Sequence, residues 1–330
     1  MKKKQILYIV IPCFNEEKVL PFTNVIFKDK IQELVEKEII SQQSRVMYVN
    51  DGSTDDTWNL IEEYSNSEFV VGISQSRNRG HQSSVLAGIF EAKKYADVVI
   101  TIDADGQDDI HCVNKMLEAY KKGSEIVYGV RENRETDTFF KRFTAESFYR
   151  LMSFFGAEII FNHADYRLMS KRFIEELSKY KEVNLFLRGI VPLVGFQYSI
   201  VTYKREERIA GESHYPLSKM VKLAVDGITS LSVKPIRMIT ILGVCTSFFS
   251  FLLIIWVLWT KFTGESVAGW ASTYAIVSLL GGVQLISLGV IGEYIGKIYL
   301  ETKNRPRYII SKRTYEDNNS SENGKGLLIE

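Results

Sequence analysis

Two aspartates near the end of a predicted strand have the type and spacing to hold a divalent cation. Asp103 and Asp105 follow the apolar run at residues 98–102. Side chains two positions apart along an extended chain point to the same side, so both carboxylates face one space. Such a pair can bind Mg²⁺, whose other ligands are commonly substrate phosphates. Because Asp-x-Asp also arises by chance, a solvated acidic turn is the alternative interpretation.

Another carboxylate ends a neighbouring predicted strand. Asp51 follows the run at residues 45–49 and precedes Gly52. A tight turn is the simplest explanation, because Asp-Gly favours turns. If both strands belong to one parallel sheet, however, Asp51 lies on the same edge as Asp103 and can accept hydrogen bonds from a nucleotide base. We favour this functional interpretation.

Arginines after other predicted strands suit a substrate that is rich in phosphate. A guanidinium binds phosphate through two parallel hydrogen bonds. Each of these residues alone is better explained as a surface charge, but together they fit a diphosphate donor and a phosphate acceptor. Asp165, expected between two helices, is either a general base or the buried partner of Arg167, and the spacing leaves both open. The basic residues are Arg77, Arg79, Arg131, Lys141, Arg142, Arg205 and Arg208.

Strand-like and helix-like segments alternate through the first two hundred residues. This order predicts an α/β domain with a doubly wound, mainly parallel sheet flanked by helices. Ligands of such sheets bind beyond the carboxyl ends of the strands, where the polar clusters lie. We predict strands at residues 6–11, 45–49, 69–74, 98–102, 125–130 and 198–203, and helices at residues 19–38, 54–65, 81–95, 139–155, 173–180 and 185–194.

Two long apolar runs near the C-terminus predict a transmembrane hairpin. They cover about residues 238–262 and 271–298, and each exceeds the roughly 20 residues that a hydrocarbon core of about 30 Å requires. Lys234 and Arg237 precede the first run, and a basic segment follows the second. Positive charge at both outer ends predicts that the catalytic domain and both termini are cytoplasmic.

Composition and patterning complete the division into domains. The 41 basic and 40 acidic residues give a net charge of +1, which argues against a nucleic-acid binder. The three cysteines have no metal-binding spacing, so neither a zinc site nor a disulfide framework is predicted. Residues 216–236 resemble a helix on the membrane interface, although an ordinary surface helix shows the same pattern. We expect a catalytic domain at 1–215, this interfacial segment, two spans within 237–300, and a basic and then disordered tail at 301–330.

Four segments carry a family resemblance when they are taken in order. They are Ile11-Pro-Cys-Phe-Asn-Glu-Glu17, Val49-Asn-Asp-Gly-Ser-Thr-Asp55, Asp103-Ala-Asp-Gly-Gln-Asp108 and Arg208-Ile-Ala-Gly-Glu-Ser-His-Tyr215. The chain thereby resembles family 2 glycosyltransferases of the GT-A fold. It is most similar to the polyprenyl-phosphate branch, which includes dolichol-phosphate mannose synthase and the bacterial bactoprenol glucosyltransferases. The resemblance covers nearly the whole chain, with Asp109 standing where the family often has proline.

This resemblance implies roles for individual residues. The nucleotide pocket would be lined by Pro12, Asn15, Glu17 and Asp51. Asp103 and Asp105 would hold Mg²⁺ or Mn²⁺, with Gln107 beside them. Asp165 matches the position of the catalytic carboxylate. The lipid phosphate or the donor diphosphate would be received by Arg131, Arg142, Arg205, Arg208 and Ser213, and the resemblance does not decide which of Arg205 and Arg208 is the family's essential arginine.

The implied reaction moves a sugar from a nucleotide diphosphate to undecaprenyl phosphate, with inversion. UDP-glucose is the expected donor and UDP-GlcNAc the next choice. The lipid-linked product would serve cell-envelope glycosylation at the inner (plasma) membrane, in which the chain is a multi-pass protein. A flippase and a downstream membrane glycosyltransferase are the expected partners, and glycines in the second span would allow a homo-oligomer.

Two alternatives stay open at this point. A processive polysaccharide synthase shares the fold but carries a Gln-x-x-Arg-Trp motif, which none of the four tryptophans matches. A non-catalytic membrane-anchored sensor of nucleotide sugars would keep the pocket without turnover, and the intact set of aspartates argues against it. Transfer by purified protein distinguishes the three functions.

Overall fold

The structure is a computed structural model in which the chain forms two compact units. One unit combines Met1–Glu146, Ile159–Tyr215 and Pro306–Glu330, and the other combines Ser147–Glu158 and Pro216–Arg305. We call them the α/β unit and the hairpin unit. The residues that the structure describes are 4–132, 150, 154–155, 163–184, 186–205, 225–263 and 269–316.

The described part of the α/β unit is built on one mixed sheet of eight strands. The strands are β1 (Leu7–Cys13), β2 (Arg45–Asn50), β3 (Val70–Gln75), β4 (Val98–Thr101), β5 (Ile126–Arg131), β6 (His163–Ser170), β7 (Tyr198–Tyr203) and β8 (Ile310–Arg313). Their order across the sheet is β7-β5-β6-β4-β1-β2-β3-β8. The first four strands run parallel, and β6 and β8 run antiparallel to their neighbours. The predicted mainly parallel α/β sheet is therefore confirmed.

Helices cover both faces of this sheet, so its central strands are buried on both sides. On β1, Leu7 and Ile9 face the core cluster that includes Phe27 of the first helix, whereas Tyr8 and Val10 face the cluster that includes the third helix. The helices are α1 (Leu20–Glu36), α2 (Thr57–Tyr64), α3 (His81–Ala92), α4 (Cys112–Lys121), α5 (Lys171–Leu177) and α6 (Leu187–Leu193). The predicted helix at residues 139–155 falls almost wholly outside the described residues.

The placement of Asp165 corrects the sequence analysis. This residue lies on β6 and not between two helices. The antiparallel register pairs Thr101 at the end of β4 with Arg167 on β6. As a result, Asp165 is carried to the same edge of the sheet as Asp103, which follows β4.

The chain returns to the α/β unit after the apolar segments. Strand β8 pairs antiparallel with β3, opposing Lys312 to Ser74. Beyond the strand, the N–H group of Gly72 donates a hydrogen bond to Thr314 Oγ1 at 2.8 Å. The sequence predicts no strand in this basic tail. Strand β8 is therefore found only in the structure.

The hairpin unit contains the two predicted spans as long helices, α7 (Lys234–Phe262) and α8 (Trp270–Thr302). Both are long and apolar enough to cross a membrane, and almost none of the residues in the candidate spans is buried. They are therefore unlike the core helices of a soluble protein. Residues 225–231 are also helical; the rest of the predicted interfacial segment before them lies outside the described residues.

Side chains of α8 hold the segment that precedes α7. Lys297 Nζ donates hydrogen bonds to the backbone oxygen of Asp226 and to Ser230 Oγ, each at 3.0 Å. The hydroxyl of Tyr294 donates to the backbone oxygen of Ser232 at 2.5 Å. The short helix at 225–231 is thus fastened to the second long helix.

Candidate active site

The loops that follow β1 and β2 are joined to each other by hydrogen bonds. Asn15, whose φ of 56° lies in the left-handed region, donates its N–H group to Ser53 Oγ at 3.0 Å and accepts the N–H group of Thr54 at 2.9 Å through Oδ1. Glu17 Oε2 accepts the N–H group of Asp56 at 3.2 Å. Pro12 pairs with β2 just before these loops. The residues predicted for the nucleotide pocket therefore come together at one edge.

Asp51 is almost fully buried, and its carboxylate is used by the backbone. Its Oδ1 accepts the N–H group of Arg79 at 2.8 Å and its Oδ2 accepts that of Gly80 at 2.9 Å. These bonds fix the loop that leads into α3. Asp51 therefore positions α3. A carboxylate has further lone pairs that could accept hydrogen bonds, and contact with a nucleotide base stays a prediction.

The predicted metal ligands lie in the loop after β4. Asp103 and Asp105 are partly exposed, and the N–H group of Gln107 donates to Asp105 Oδ1 at 3.2 Å. Burial raises the pKa of Asp103, and the charges of Asp165 and Asp105 raise it further, although His81 opposes the shift. A divalent cation would relieve this repulsion between carboxylates. Among the described residues no group of three or more His, Cys, Asp or Glu side chains could hold a metal ion, but two carboxylates with substrate phosphates suffice for Mg²⁺.

Asp165 is surrounded by cationic side chains. The guanidinium of Arg167, which is 1% exposed, donates to Asp165 Oδ1. Arg188 Nη2 donates to Asp165 Oδ2 at 3.3 Å, and His81 Nε2 lies 3.4 Å from the same oxygen and 3.8 Å from Asp103 Oδ1. Burial alone would raise the pKa of Asp165, but Arg188, His81 and Arg167 together hold it well below its usual value. Asp165 is therefore the ion-pair partner of the buried Arg167, and its role as a general base stays a prediction.

Hydrogen bonds between side chains and the backbone position Asp165 and the helices that carry His81 and Arg188. The hydroxyl of Thr101 donates to the backbone oxygen of Asp165 at 2.5 Å. Gln82, next to His81 in α3, accepts the N–H group of Leu187 at 2.8 Å. Because Arg188 follows Leu187, this bond places the first turns of α3 and α6 side by side.

A second cluster forms around Asp108, which is 4% exposed. Tyr203 donates its hydroxyl to Asp108 Oδ1 at 2.5 Å, and Arg131 Nη2 lies 3.5 Å from the same oxygen. Arg205 donates to Gln107 Oε1. Burial, with the charge of Asp103, raises the pKa of Asp108 to about 6 against the effect of Arg131. Two of the arginines predicted to bind phosphate thus stand beside the loop that carries Asp105.

The structure extends the predicted site and leaves part of it outside the described residues. His81, Asp108, Arg188 and Tyr203 were not assigned roles from the sequence. His81 could have been found, because it directly follows the loop after β3 at the same edge as Asp51; Arg188 lies in a helix with no such signal. The predicted phosphate-binding residues outside the described part of the chain are Arg142, Arg208 and Ser213.

The described part of the chain places carboxylates and arginines at the carboxyl edge of an α/β sheet, and comparison with known families identifies the class of protein. The model of glycosyl transferase family 2 matches residues 8–178, and that of the GtrB C-terminal hairpin matches residues 234–298. The chain therefore belongs to glycosyl transferase family 2, and the resemblance read from its motifs is confirmed.

Similar proteins span almost the same length. An uncharacterized glycosyltransferase of Bacillus subtilis (strain 168), YkoT, is 49% identical over 96% of this chain and 95% of its own. A bactoprenol glucosyl transferase of Shigella phage SfX is 40% identical over 92% of this chain and 98% of its own. Among solved structures, glucosyl-3-phosphoglycerate synthase from Mycobacterium tuberculosis is 18% identical with a TM-score of 0.42, covering 69% of this chain and 79% of that chain.

Proposed function

We propose that this glycosyltransferase moves a hexose from a UDP-sugar to undecaprenyl phosphate at the cytoplasmic face of the cell membrane. UDP-glucose is the first choice of donor and UDP-GlcNAc the next. The observation that carries the proposal is one chain that combines the carboxylate pair Asp103 and Asp105 with two long apolar helices. The name of the Shigella phage relative supports both the lipid acceptor and glucose.

Asp103 and Asp105 are the residues that would hold Mg²⁺ or Mn²⁺ on the donor diphosphate. When bound, the cation would stabilise negative charge on the leaving nucleotide. Gln107, whose side chain accepts a hydrogen bond from Arg205, orients that guanidinium at the same loop. The arginine can then bind phosphate oxygens as the diphosphate departs.

The acceptor phosphate attacks the anomeric carbon in a single displacement. A bond forms between an oxygen of the lipid phosphate and the sugar carbon, and the bond from that carbon to the diphosphate breaks with its electron pair leaving on the diphosphate. One displacement inverts the anomeric centre. Arg131, Arg142, Arg208 and Ser213 are proposed to hold the lipid phosphate.

Asp165 orients the reacting groups and does not remove a proton. The second pKa of a phosphate monoester is about 6, so the acceptor is mostly dianionic at pH 7 and carries no proton that must leave. Burial raises the pKa of Asp165, but Arg188, His81 and Arg167 lower it further than burial raises it. This low pKa is consistent with a carboxylate that stays charged. Its proposed role is to hold those cations in the site.

The return of the chain to the sheet supports a two-span topology. Strand β8 after α8 lies in the same sheet as β1 before α7. The chain between them must therefore cross the bilayer an even number of times. With basic residues such as Lys234 and Lys303 at the outer ends of the helices, the side that holds the sheet is proposed to be cytoplasmic.

The test uses the full chain purified in detergent with undecaprenyl phosphate, Mg²⁺ or Mn²⁺ and a panel of radiolabelled UDP-sugars. We expect label from one donor to enter the organic phase, and we expect Asp105→Ala to abolish this transfer. Asp29→Ala, at an exposed position on α1, makes the same chemical change away from the site and should leave transfer intact.

Other results would point to the other two functions. A labelled polymer in place of a single lipid-linked sugar would indicate a processive synthase. Nucleotide binding by the wild type without transfer of any sugar would indicate a sensor and contradict the proposal.

A further inference from the structure

Two carboxylates alternate with two basic side chains at the carboxyl edge of the sheet. In order they are Asp103, His81, Asp165 and Arg188, with His81 Nε2 lying 3.8 Å from Asp103 and 3.4 Å from Asp165, and Arg188 3.3 Å from Asp165. The side chains of His81 and Arg188 are 45% and 36% exposed. We call these four residues the alternating cluster. Its neighbouring hydrogen-bond donors and acceptors lie within 4 Å of one another, and two of its side chains reach solvent.

The chemistry of the alternating cluster favours a hydroxyl ligand. A hydroxyl group donates one hydrogen bond and accepts others, so it can bridge a carboxylate and a neighbouring N–H donor. A phosphate dianion placed against His81 would instead meet two carboxylates within the same few ångströms, and like charges at such distances repel. A carbohydrate with adjacent hydroxyls is the ligand class that matches both the acceptors and the donors.

The position of the cluster relates it to the donor. Asp103 belongs both to the alternating cluster and to the carboxylate pair proposed to hold the diphosphate-bound cation. In a nucleotide sugar the hexose is attached directly to the diphosphate. A hexose bound there therefore lies next to Asp103, within reach of His81 and Arg188.

We propose that His81 and Arg188, held against Asp165, bind hydroxyl groups of the donor hexose and select which hexose is transferred. The proposal rests on the proposed function, because it needs a nucleotide-sugar donor. Hydrogen bonds fix the geometry: Asp51 holds the loop before His81, and Gln82 holds the N–H group before Arg188. A site built to hydrogen-bond substrate hydroxyls discriminates strongly against analogues that misplace them.

The experiment compares wild type with His81→Gln and Arg188→Gln in the full chain with Mg²⁺. Calorimetry measures affinity for UDP, UDP-glucose, UDP-galactose and UDP-GlcNAc, and transfer assays give kcat/KM for each sugar. Both variants should bind UDP as the wild type does. The affinity for the preferred UDP-hexose, divided by the affinity for UDP, should fall by about tenfold or more, as expected for one lost hydrogen bond to a charged group.

A purely structural role would give a different pattern. It would lower kcat/KM for every hexose by the same factor, whereas selection by hydroxyl contacts changes the ratio between the 4-epimers UDP-glucose and UDP-galactose. Arg172→Gln removes an arginine that is 71% exposed and ion-paired to Glu125, and it should preserve all ratios. Melting temperatures confirm that each variant is folded.

The outcomes separate the two proposals. If the wild type prefers one UDP-hexose and both site variants keep its ratios, the alternating cluster does not bind the sugar and the inference fails alone. If the wild type transfers no sugar from any UDP-hexose, the proposed donor class fails, and the inference fails with it.

Discussion

Asp165 carries a negative charge whose stability depends on three cationic neighbours. Removing one partner from a buried ion pair leaves an uncompensated charge, which typically costs about 3–5 kcal/mol. Arg167 is 1% exposed and therefore supplies the most deeply buried of these contacts, while His81 and Arg188 reach solvent. The buried arginine is a structural support for the carboxylate, and the two exposed cations are placed to meet a ligand.

Gly52 is the residue at which the loop after β2 is most sensitive to substitution. Its φ is +65°, and an added Cβ would lie 2.6 Å from backbone atoms of Arg77 and Asn78. We expect Gly52→Ala to destabilise the protein by about 1–2 kcal/mol from the left-handed backbone and by about a further 1–3 kcal/mol from the contact. Gly123→Ala, with φ +107° and no atom within 4 Å, should show a backbone cost without the cost of a close contact. Equal shifts in melting temperature for the two variants would contradict this account.

Single residues could be assigned from the sequence where they follow a recognisable strand. Asp51, Asp103 and Asp105 follow such strands, and the structure brings them to one edge. Arg188 was missed because its placement depends on a hydrogen bond between the first turns of two helices, a contact between residues 105 positions apart. A pattern within one segment contains no information about such a pairing.

Strands β6 and β8 were not predicted from the sequence, each for its own reason. On β6, Tyr166, Arg167, Leu168 and Met169 are all buried, so neither a period of two nor a purely apolar run marks the strand. Strand β8 reads Ile310-Ser-Lys-Arg313, and its charged side chains are typical of an edge strand that avoids pairing with other chains. Both strands are defined by their partners in the sheet, β4 and β3, more than by their own composition.

Strand β8 is attached to α3 through Glu91, which predicts a pH-dependent contribution to stability. Arg313 Nε donates to Glu91 Oε1 at 2.8 Å, and the hydroxyl of Tyr315 donates to the same oxygen at 3.1 Å. Burial raises the pKa of Glu91, but hydrogen bonds from Arg313 and Lys94 outweigh it and hold the pKa below its usual value. The stabilisation is therefore complete above the unfolded pKa of about 4.3 and is lost as the pH falls through the lower folded value.

The corresponding variant is Glu91→Gln. At pH 7 we expect it to lower the free energy of unfolding by about 1–3 kcal/mol, as for hydrogen bonds to a charged group. Melting curves of wild type and variant should differ by a constant amount above about pH 5 and converge below about pH 4. Glu176→Gln, which breaks the exposed pair with Lys179, should cost about 1 kcal/mol or less. A difference for Glu91→Gln that persists unchanged into acid would show that its charge contributes nothing.

At the scale of the whole molecule, the hairpin interrupts one folding unit. The α/β unit contains residues on both sides of the two long helices, because Pro306 onward belongs with the sheet. A simple truncation before α7 would therefore remove β8 along with the membrane anchor. It would expose the edge of β3. A loss of activity could then come from lower stability or from lost membrane attachment, and the experiment would not distinguish the two.

A sharper variant replaces residues 233–305 with a flexible Gly/Ser linker, which behaves as a random coil, and retains β8. Because the carboxylates and arginines of the site lie in the α/β unit, this linker variant should bind UDP-sugars as the full chain does. It should lose transfer to undecaprenyl phosphate embedded in vesicles while still glycosylating a short, water-soluble polyprenyl phosphate. The matched control is the truncation after Ser232, which should melt at a lower temperature than the linker variant because it lacks the hydrogen bonds between β8 and β3. Wild-type rates of the linker variant on the vesicle-bound acceptor would show that the two apolar helices are not needed to deliver the lipid phosphate to the site.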